Sequence, residues 1–399
     1  MTAPPVYLDH NATTPVAPEA IAAMVDVMQR VWANPSSVHA PGQAARRVLA
    51  DSRLRVSRLL GCLPAELVFT SGASEANHMA VLGALAAQRP AGRHRLLLSA
   101  VEHPGLLALA QRLAGEGTPV DLIPVDGQGR LDLDRAESLI GRDVALVSVM
   151  GANNETGVRM PIEQLAVMAH AQGAWLHSDA TQLAGKAAMD FTHSGVDLLS
   201  VSAHKLGGPK GVGALVVRKG VTLPPLLSGR QERQRRGGTE NLPGIVGFAA
   251  ACALRQTALT DDLQRMRALR TRLERGLKNA LPEAAVYGEA ADRLANTATL
   301  RFGTLDAERV LDALERAGVL ASSGSACSAG GTQPSHVLLA MGATPQQARA
   351  GVRFSLGPST TAEDIDHAVA AAARVLAPLL AESGACSTRD GAADLRRAA

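Results

Sequence analysis

The sequence predicts an α/β protein: a large domain on a mostly parallel seven-stranded sheet, followed by a smaller α+β unit. Short apolar, β-branched runs alternate with helix-period stretches through the first 220 residues, the pattern of a parallel sheet covered on both faces. Several of these runs lead straight into polar segments, namely FTSGASEAN, SAVEH, SVMGANNETG, HSDATQ and SVSAHK. Open parallel sheets bind ligands at the carboxyl ends of their strands, so this repetition marks a site. Near Asp261 the alternation stops and a different pattern begins.

Taken in order, the expected strands are 67–70, 95–99, 120–124, 144–149, 175–177, 198–201 and 214–217. Between 43 and 60, Ala45, Leu49, Ser52, Val56 and Leu59 recur at helical spacing. From Asp261 a helix with Leu263, Met266, Leu273 and Leu277 on one side runs to Pro282, and strands are expected near 296–301 and 351–355. The division that follows is a large domain over 15–260 and a small domain from 1–14 plus 261–383. Residues 384–399, small and polar, are expected to form a mobile tail.

Composition removes several function classes. A chain of 399 residues with 46% hydrophobic content can bury the core of two domains. A net charge of +3 is too small to argue for nucleic acid or membrane as the main partner. Cys62, Cys252, Cys327 and Cys386 form no CxxC pair, which argues against a disulfide framework or a metal site and for a reducing cytoplasm. The N-terminal MTAPPVYLDHNATTP lacks the basic and apolar regions of a signal peptide. The apolar stretch nearest to membrane length, 368–381, is interrupted by Arg374 and Pro378. A soluble, cytoplasmic protein is the expectation.

Three strand-end motifs carry the chemistry. Lys205 follows a buried strand in SAHK-LGGPKG; partial desolvation there lowers an amine's pKa and suits it to attack a carbonyl. Asp179, in HSDATQ 26 residues earlier, is placed to pair with a protonated ring nitrogen. In TSGASEAN a strand turns through Gly72 into a helix whose first amides and Ser74 hydroxyl suit a phosphate. Each motif alone is also compatible with a solvated loop lysine, a helix-capping aspartate or an ordinary turn. Together, in this order and spacing, they describe a pyridoxal 5′-phosphate site.

With YLDHNATTP at 7–15, NPSS at 34–37, NNETG at 153–157, RRGGTEN at 235–241, SSGSACSAG at 322–330 and RFSLG at 353–357, the chain resembles the cysteine desulfurases. It is most similar to the long-loop branch that serves iron–sulfur cluster assembly within the class V aminotransferase family. The resemblance implies the type I fold of pyridoxal-phosphate transferases and a homodimer with active sites at its interface. It implies L-cysteine as substrate and a sulfur-acceptor protein, such as an iron–sulfur scaffold, as partner. Carried onto this sequence, Lys205 binds the cofactor covalently, Asp179 pairs with its ring nitrogen and His103 stacks on the ring. Gln182 and Asn154 bind the ring oxygen and substrate. Ala73, Ser74, Ser202 and His204 hold the phosphate, with Thr239 of the partner subunit. Arg353 clamps the substrate carboxylate, assisted by Asn34.

Cys327 separates two reactions. It lies in SSGSACSAGG, a loop of small residues with little to bury, which suits a nucleophile that visits both substrate and acceptor. The resemblance makes it the residue that carries sulfur as a persulfide. A class V aminotransferase, the alternative reading, has no use for it. Ser74 stands where threonine is commoner in the family but keeps the hydroxyl. The basic segment 230–236 lacks the interleaved aromatics of a nucleic-acid surface.

Overall fold

The computed structural model describes residues 4–324 and 333–397, with side chains described as far as Glu382. An N-terminal arm carrying β1 (Val6–Tyr7) leads to α1 (Pro18–Arg30) and α2 (Ala40–Leu60). The large sheet then forms from β2 (Leu67–Thr70), β3 (Arg95–Ser99), β4 (Val120–Ile123), β5 (Val144–Ser148), β6 (Trp175–Asp179), β7 (Leu198–Ser202) and β8 (Gly213–Val217). Its order is β2-β8-β7-β6-β5-β3-β4, and only β8 runs against its neighbours.

The strands read as continuous apolar runs because both faces are covered. Leu97 and Val147 enter one core, while Leu96, Leu98 and Leu146 enter the other, the two-residue period of a strand. The helices between strands are α3 (Ala73–Gln88), α4 (Pro104–Gly115), α5 (Leu133–Leu139) and α6 (Ile162–Ala171). Strands β6 and β7 run one or two residues beyond their expected ends, to Asp179 and Ser202. The backbone ladder, with Asp179 opposite Ser200, does not depend on side-chain polarity, so the polar residues that signalled a strand end lie within it.

After β8 come a short turn of helix, α7 (Gln231–Gln234), the long α8 (Leu242–Ala280), β9 (Ala284–Val286), β10 (Thr297–Phe302) and α9 (Ala307–Arg316). The chain continues through β11 (Val319–Leu320), β12 (Ser322–Ser323), α10 (His336–Ala340), α11 (Pro345–Arg349), β13 (Val352–Ser355) and α12 (Ala362–Arg397). A four-stranded sheet, β12-β13-β10-β9, anchors a second core of Leu273, Leu277, Leu300, Phe302 and Phe354; β1 pairs with β11 and brings Leu8 into it.

The helix expected from Asp261 is the second half of α8, whose first half packs Leu242, Ile245 and Phe248 into the first core and whose second half packs Leu269, Leu273 and Leu277 into the second. Among the described residues, α8 alone is long and apolar enough to span a bilayer, but Ile245, Phe248, Ala251 and Cys252 are core residues. The backbone of 384–397, expected to be a mobile tail, continues α12 as far as Arg397. The segment has no proline, and three alanines and three arginines, which favour a helix, fall within 384–397.

In α7, Glu232, Arg233 and Gln234 all have positive φ, at 47°, 57° and 65°, which costs about 1–2 kcal/mol per residue. Buried Glu232 offsets this by accepting from both Arg53 Nη atoms and from the Phe69 amide at 2.8 Å. Glu232→Ala leaves Arg53 without its carboxylate partner and is expected to destabilise the fold by about 3 kcal/mol, measured by denaturant unfolding.

Candidate active site

The carboxyl ends of β2, β6 and β7, the N-terminal arm and Arg353 of β13 enclose a cavity of about 560 Å³. Asp179 ends β6 and is buried; its carboxylate accepts from Asn77 Nδ2 at 2.8 Å and from the Thr181 amide at 2.9 Å. Lys205 closes the single turn of 3-10 helix after β7. Its Nζ donates to the carbonyls of Asn11 at 2.5 Å and Ala12 at 2.7 Å, so the arm fixes where the amine sits.

At the other end of the cavity, Gly72 precedes α3 with φ 156° and ψ 179°, a conformation that side chains rarely adopt. No side chain caps this helix. Its first amides are therefore available to an anion, beside Ser74, Ser202 and His204. Arg353 is 2% exposed; Nη2 pairs with Asp9 at 2.7 Å and Nη1 donates to the Asn154 carbonyl at 3.1 Å. The planar guanidinium is thus oriented before any substrate arrives.

His103 caps α4 by accepting from the Gly105 amide at Nδ1, 3.1 Å away. Burial lowers its pKa below the ordinary 6.5, with Asp179 opposing the shift. Near neutral pH the ring is uncharged, with its proton on Nε2. Just before it, fully buried Glu102 accepts from Ser99 Oγ at 2.5 Å and the Met150 amide at 2.7 Å, and burial pushes its pKa up to about 8.

His177, two residues before Asp179 on β6, lies between Ser148 Oγ at 2.8 Å and Ser200 Oγ at 2.9 Å. Burial lowers its pKa to about 4, against a weaker opposing pull from Asp179. A histidine held neutral in the fold contributes stability above pH 6.5, which is lost as pH falls towards 4. The thermal midpoint is expected to drop across this window, and His177→Gln should flatten the drop. An equally steep acid loss in the variant would assign it to other groups, such as His10 or His204, which burial also lowers to about 4.

A match to the aminotransferase class-V family covers residues 6–368. The chain is 46% identical over 385 residues to a cysteine desulfurase of Cereibacter sphaeroides, covering 96% of this chain and 97% of the relative. It is 43% identical to the cysteine desulfurase NifS of Azotobacter vinelandii, covering 94% and 93%. A solved NifS-like protein superposes with a TM-score of 0.87 at 32% identity, covering 94% of this chain and 99% of its own. SspA in complex with cysteine superposes with a TM-score of 0.78 at 30% identity, covering 89% and 99%. The chain belongs to the aminotransferase class-V family.

Ten of the residues expected from that family line the one cavity: Ala73, Ser74, His103, Asn154, Asp179, Gln182, Ser202, His204, Lys205 and Arg353. Two do not. Asn34 is exposed between α1 and α2, with its Oδ1 accepting from the Ser36 amide at 2.8 Å. Thr239 lines a smaller neighbouring cavity of about 170 Å³ with Thr70, Ser71 and Gly211.

Cys327 lies outside the described residues, but the chain on either side of its loop is clear. Gly324 backs onto the Glu155 carboxylate so closely that any side chain there would collide with it. Ser335 Oγ donates to the same carboxylate at 2.6 Å, and His336 Nε2 lies 2.9 Å from the Glu102 carbonyl. Sequence reasoning had not singled out Asp9, Asn11, Asn77, Glu102, Glu155 or Lys186. Five of them sit inside motifs already noticed, YLDHNATTP, TSGASEAN, SAVEH and NNETG.

Proposed function

We propose that this chain is a pyridoxal-phosphate-dependent cysteine desulfurase that converts L-cysteine to L-alanine and carries the sulfur as a persulfide on Cys327. One observation carries the reading: Lys205, Asp179 and Arg353 line the same cavity, beside the uncapped start of α3. The fit to the cofactor rests on this donor set: an amine for its aldehyde, a buried carboxylate for its ring nitrogen and a helix N-terminus for its phosphate. Asn154 Oδ1 and Thr181 Oγ1 are buried without partners among the described residues, which leaves polar atoms for a bound molecule to satisfy.

When bound, pyridoxal phosphate supplies an aldehyde for the amine and a ring that draws electrons from the substrate's Cα. Lys205 would hold it and would move the Cα proton. Asp179, held by Asn77 and Thr181, would face the ring nitrogen. Gln182 would donate to the ring oxygen, and uncharged His103 would lie against the ring. Ala73, Ser74, Ser202 and His204 hold the phosphate, joined by Thr239 of the partner subunit. Arg353 and Asn154 orient the substrate by its carboxylate, with Asn34 assisting. The Cys327 thiolate attacks the substrate sulfur; an S–S bond forms, the C–S bond breaks, and alanine leaves. Cys62, pushed up to about 12 by burial, and Cys252, raised well above the ordinary thiol range by burial, are protonated and unsuited to this role.

A homodimer fits the exposed apolar row Ile21, Val25, Met28 and Trp32 along and beyond α1. A cytoplasmic enzyme delivering sulfur to an iron–sulfur scaffold is the physiological reading. The test is incubation of the reconstituted protein with L-cysteine and excess dithiothreitol, which reduces the persulfide, with alanine and sulfide measured in equal amounts. Amino transfer to a keto acid without sulfur release would make it an aminotransferase instead.

A further inference from the structure

Lys186 has no part in the chemistry above, yet it is buried one step behind the cavity wall. Its Nζ donates to two amide oxygens, Gln182 Oε1 at 2.7 Å and Asn11 Oδ1 at 3.0 Å, neither of them a carboxylate. Burial, then the charges of Lys205 and Arg353, hold its pKa well below the ordinary 10.5. Such an amine is costly to bury, and a methionine of similar length would fill the space more cheaply. The cost points to a task outside stability.

That task follows from hydrogen-bond polarity. A lysine amine held between two amides faces their oxygens, so it sets which way each amide turns. With Oε1 held by Lys186, Gln182 Nε2 faces the Asn11 carbonyl at 3.1 Å, and its second N–H is left for an acceptor in the cavity it lines. Asn11, held at Oδ1 by Lys186 and by Asn296 at 3.2 Å, turns Nδ2 to the Asn154 carbonyl at 3.2 Å and to Thr297 Oγ1 at 2.9 Å. The Asn11 carbonyl receives Lys205, and the Asn154 carbonyl receives Arg353. One amine therefore biases the orientation of the Gln182 amide at the cavity wall and of the Asn11 amide beside the Asn154 carbonyl that receives Arg353.

We propose that Lys186 is a positioning residue, fixing which atoms of Gln182 face the cofactor cavity and which atom of the Asn11 amide meets the Asn154 carbonyl that receives Arg353. This rests on the pyridoxal-phosphate reading. The test is Lys186→Met in the full-length protein, with Lys186→Gln, which can still donate, as the conservative variant. The Met variant should unfold thermally at or above the wild-type midpoint. Reconstituted with pyridoxal phosphate, it should show a displaced visible maximum, weaker cofactor retention on dialysis, and kcat/KM lowered about tenfold. The Gln variant should recover most of these. In a Gln182→Leu background, Lys186→Met should cost less than about threefold, because its main route of action is already gone.

A Met variant with the wild-type maximum, retention and kinetics overturns the inference, as does an equal fold-loss in both backgrounds. Should the Met variant not fold, a Gln variant as impaired as Gln182→Leu overturns it, and one near wild type supports it. A wild type that takes up no pyridoxal phosphate overturns the parent reading, and this inference with it.

Discussion

Lys205→Ala is expected to lack the near-visible absorbance of a lysine-bound cofactor and to lose at least about 10³-fold in alanine formation from L-cysteine. The wild-type amine lies 2.5 and 2.7 Å from the Asn11 and Ala12 carbonyls. These contacts fix its position at the cavity wall, where an amine can both condense with an aldehyde and move a proton. Alanine removes both capacities. The phosphate site at the start of α3 is untouched, so the variant should still bind the cofactor weakly, without covalent attachment. Absorbance spectra before and after borohydride treatment, with mass spectrometry of the peptide containing Lys205, check the result. A variant that keeps the band, or a wild type in which borohydride fixes the cofactor to another lysine, would mean that the anchor has been misassigned.

The large sheet was legible because its strands are buried on both faces, leaving unbroken apolar runs such as Leu96–Leu98 and Val144–Val147. The site was legible where a motif sits on one strand end, as with Asp179, Lys205 and TSGASEAN. What escaped notice was chemistry that exists only after distant segments meet. Asn11 touches Asn296 and Thr297, Asp9 touches Arg353, and Asn77 touches Asp179; nothing local in a sequence marks such pairs. Buried Glu102, Glu155 and Lys186 read as surface charges because charged residues are mostly exposed. The first half of α8 escaped for another reason: it is apolar on most sides around Ile245–Ala253, so no one face stood out.

The second large effect is expected at Cys327. Cys327→Ser should bind pyridoxal phosphate with the wild-type spectrum and still respond spectroscopically to L-cysteine. On the proposed function, binding relies on Lys205, Asp179 and the start of α3, and substrate recognition on Arg353 and Asn154. Alanine and sulfide formation should nevertheless fall by about two orders of magnitude or more, because a hydroxyl at neutral pH is a far weaker nucleophile than a thiolate. The two ends of the loop support this assignment. Gly324 and Ser335 both meet the buried Glu155 carboxylate, next in sequence to the cavity-lining Asn154, and His336 meets the carbonyl preceding His103. The described residues on both sides of 325–332 are thus held against neighbours of the cavity-lining Asn154 and His103. Cys62 and Cys252 are held protonated by burial and offer no substitute. Wild-type protein exposed briefly to L-cysteine and digested without reductant should carry one added sulfur on the Cys327 peptide and none on the peptides of Cys62, Cys252 or Cys386. Undiminished alanine formation in Cys327→Ser, or a first persulfide on another cysteine, would show that a different thiol does the work.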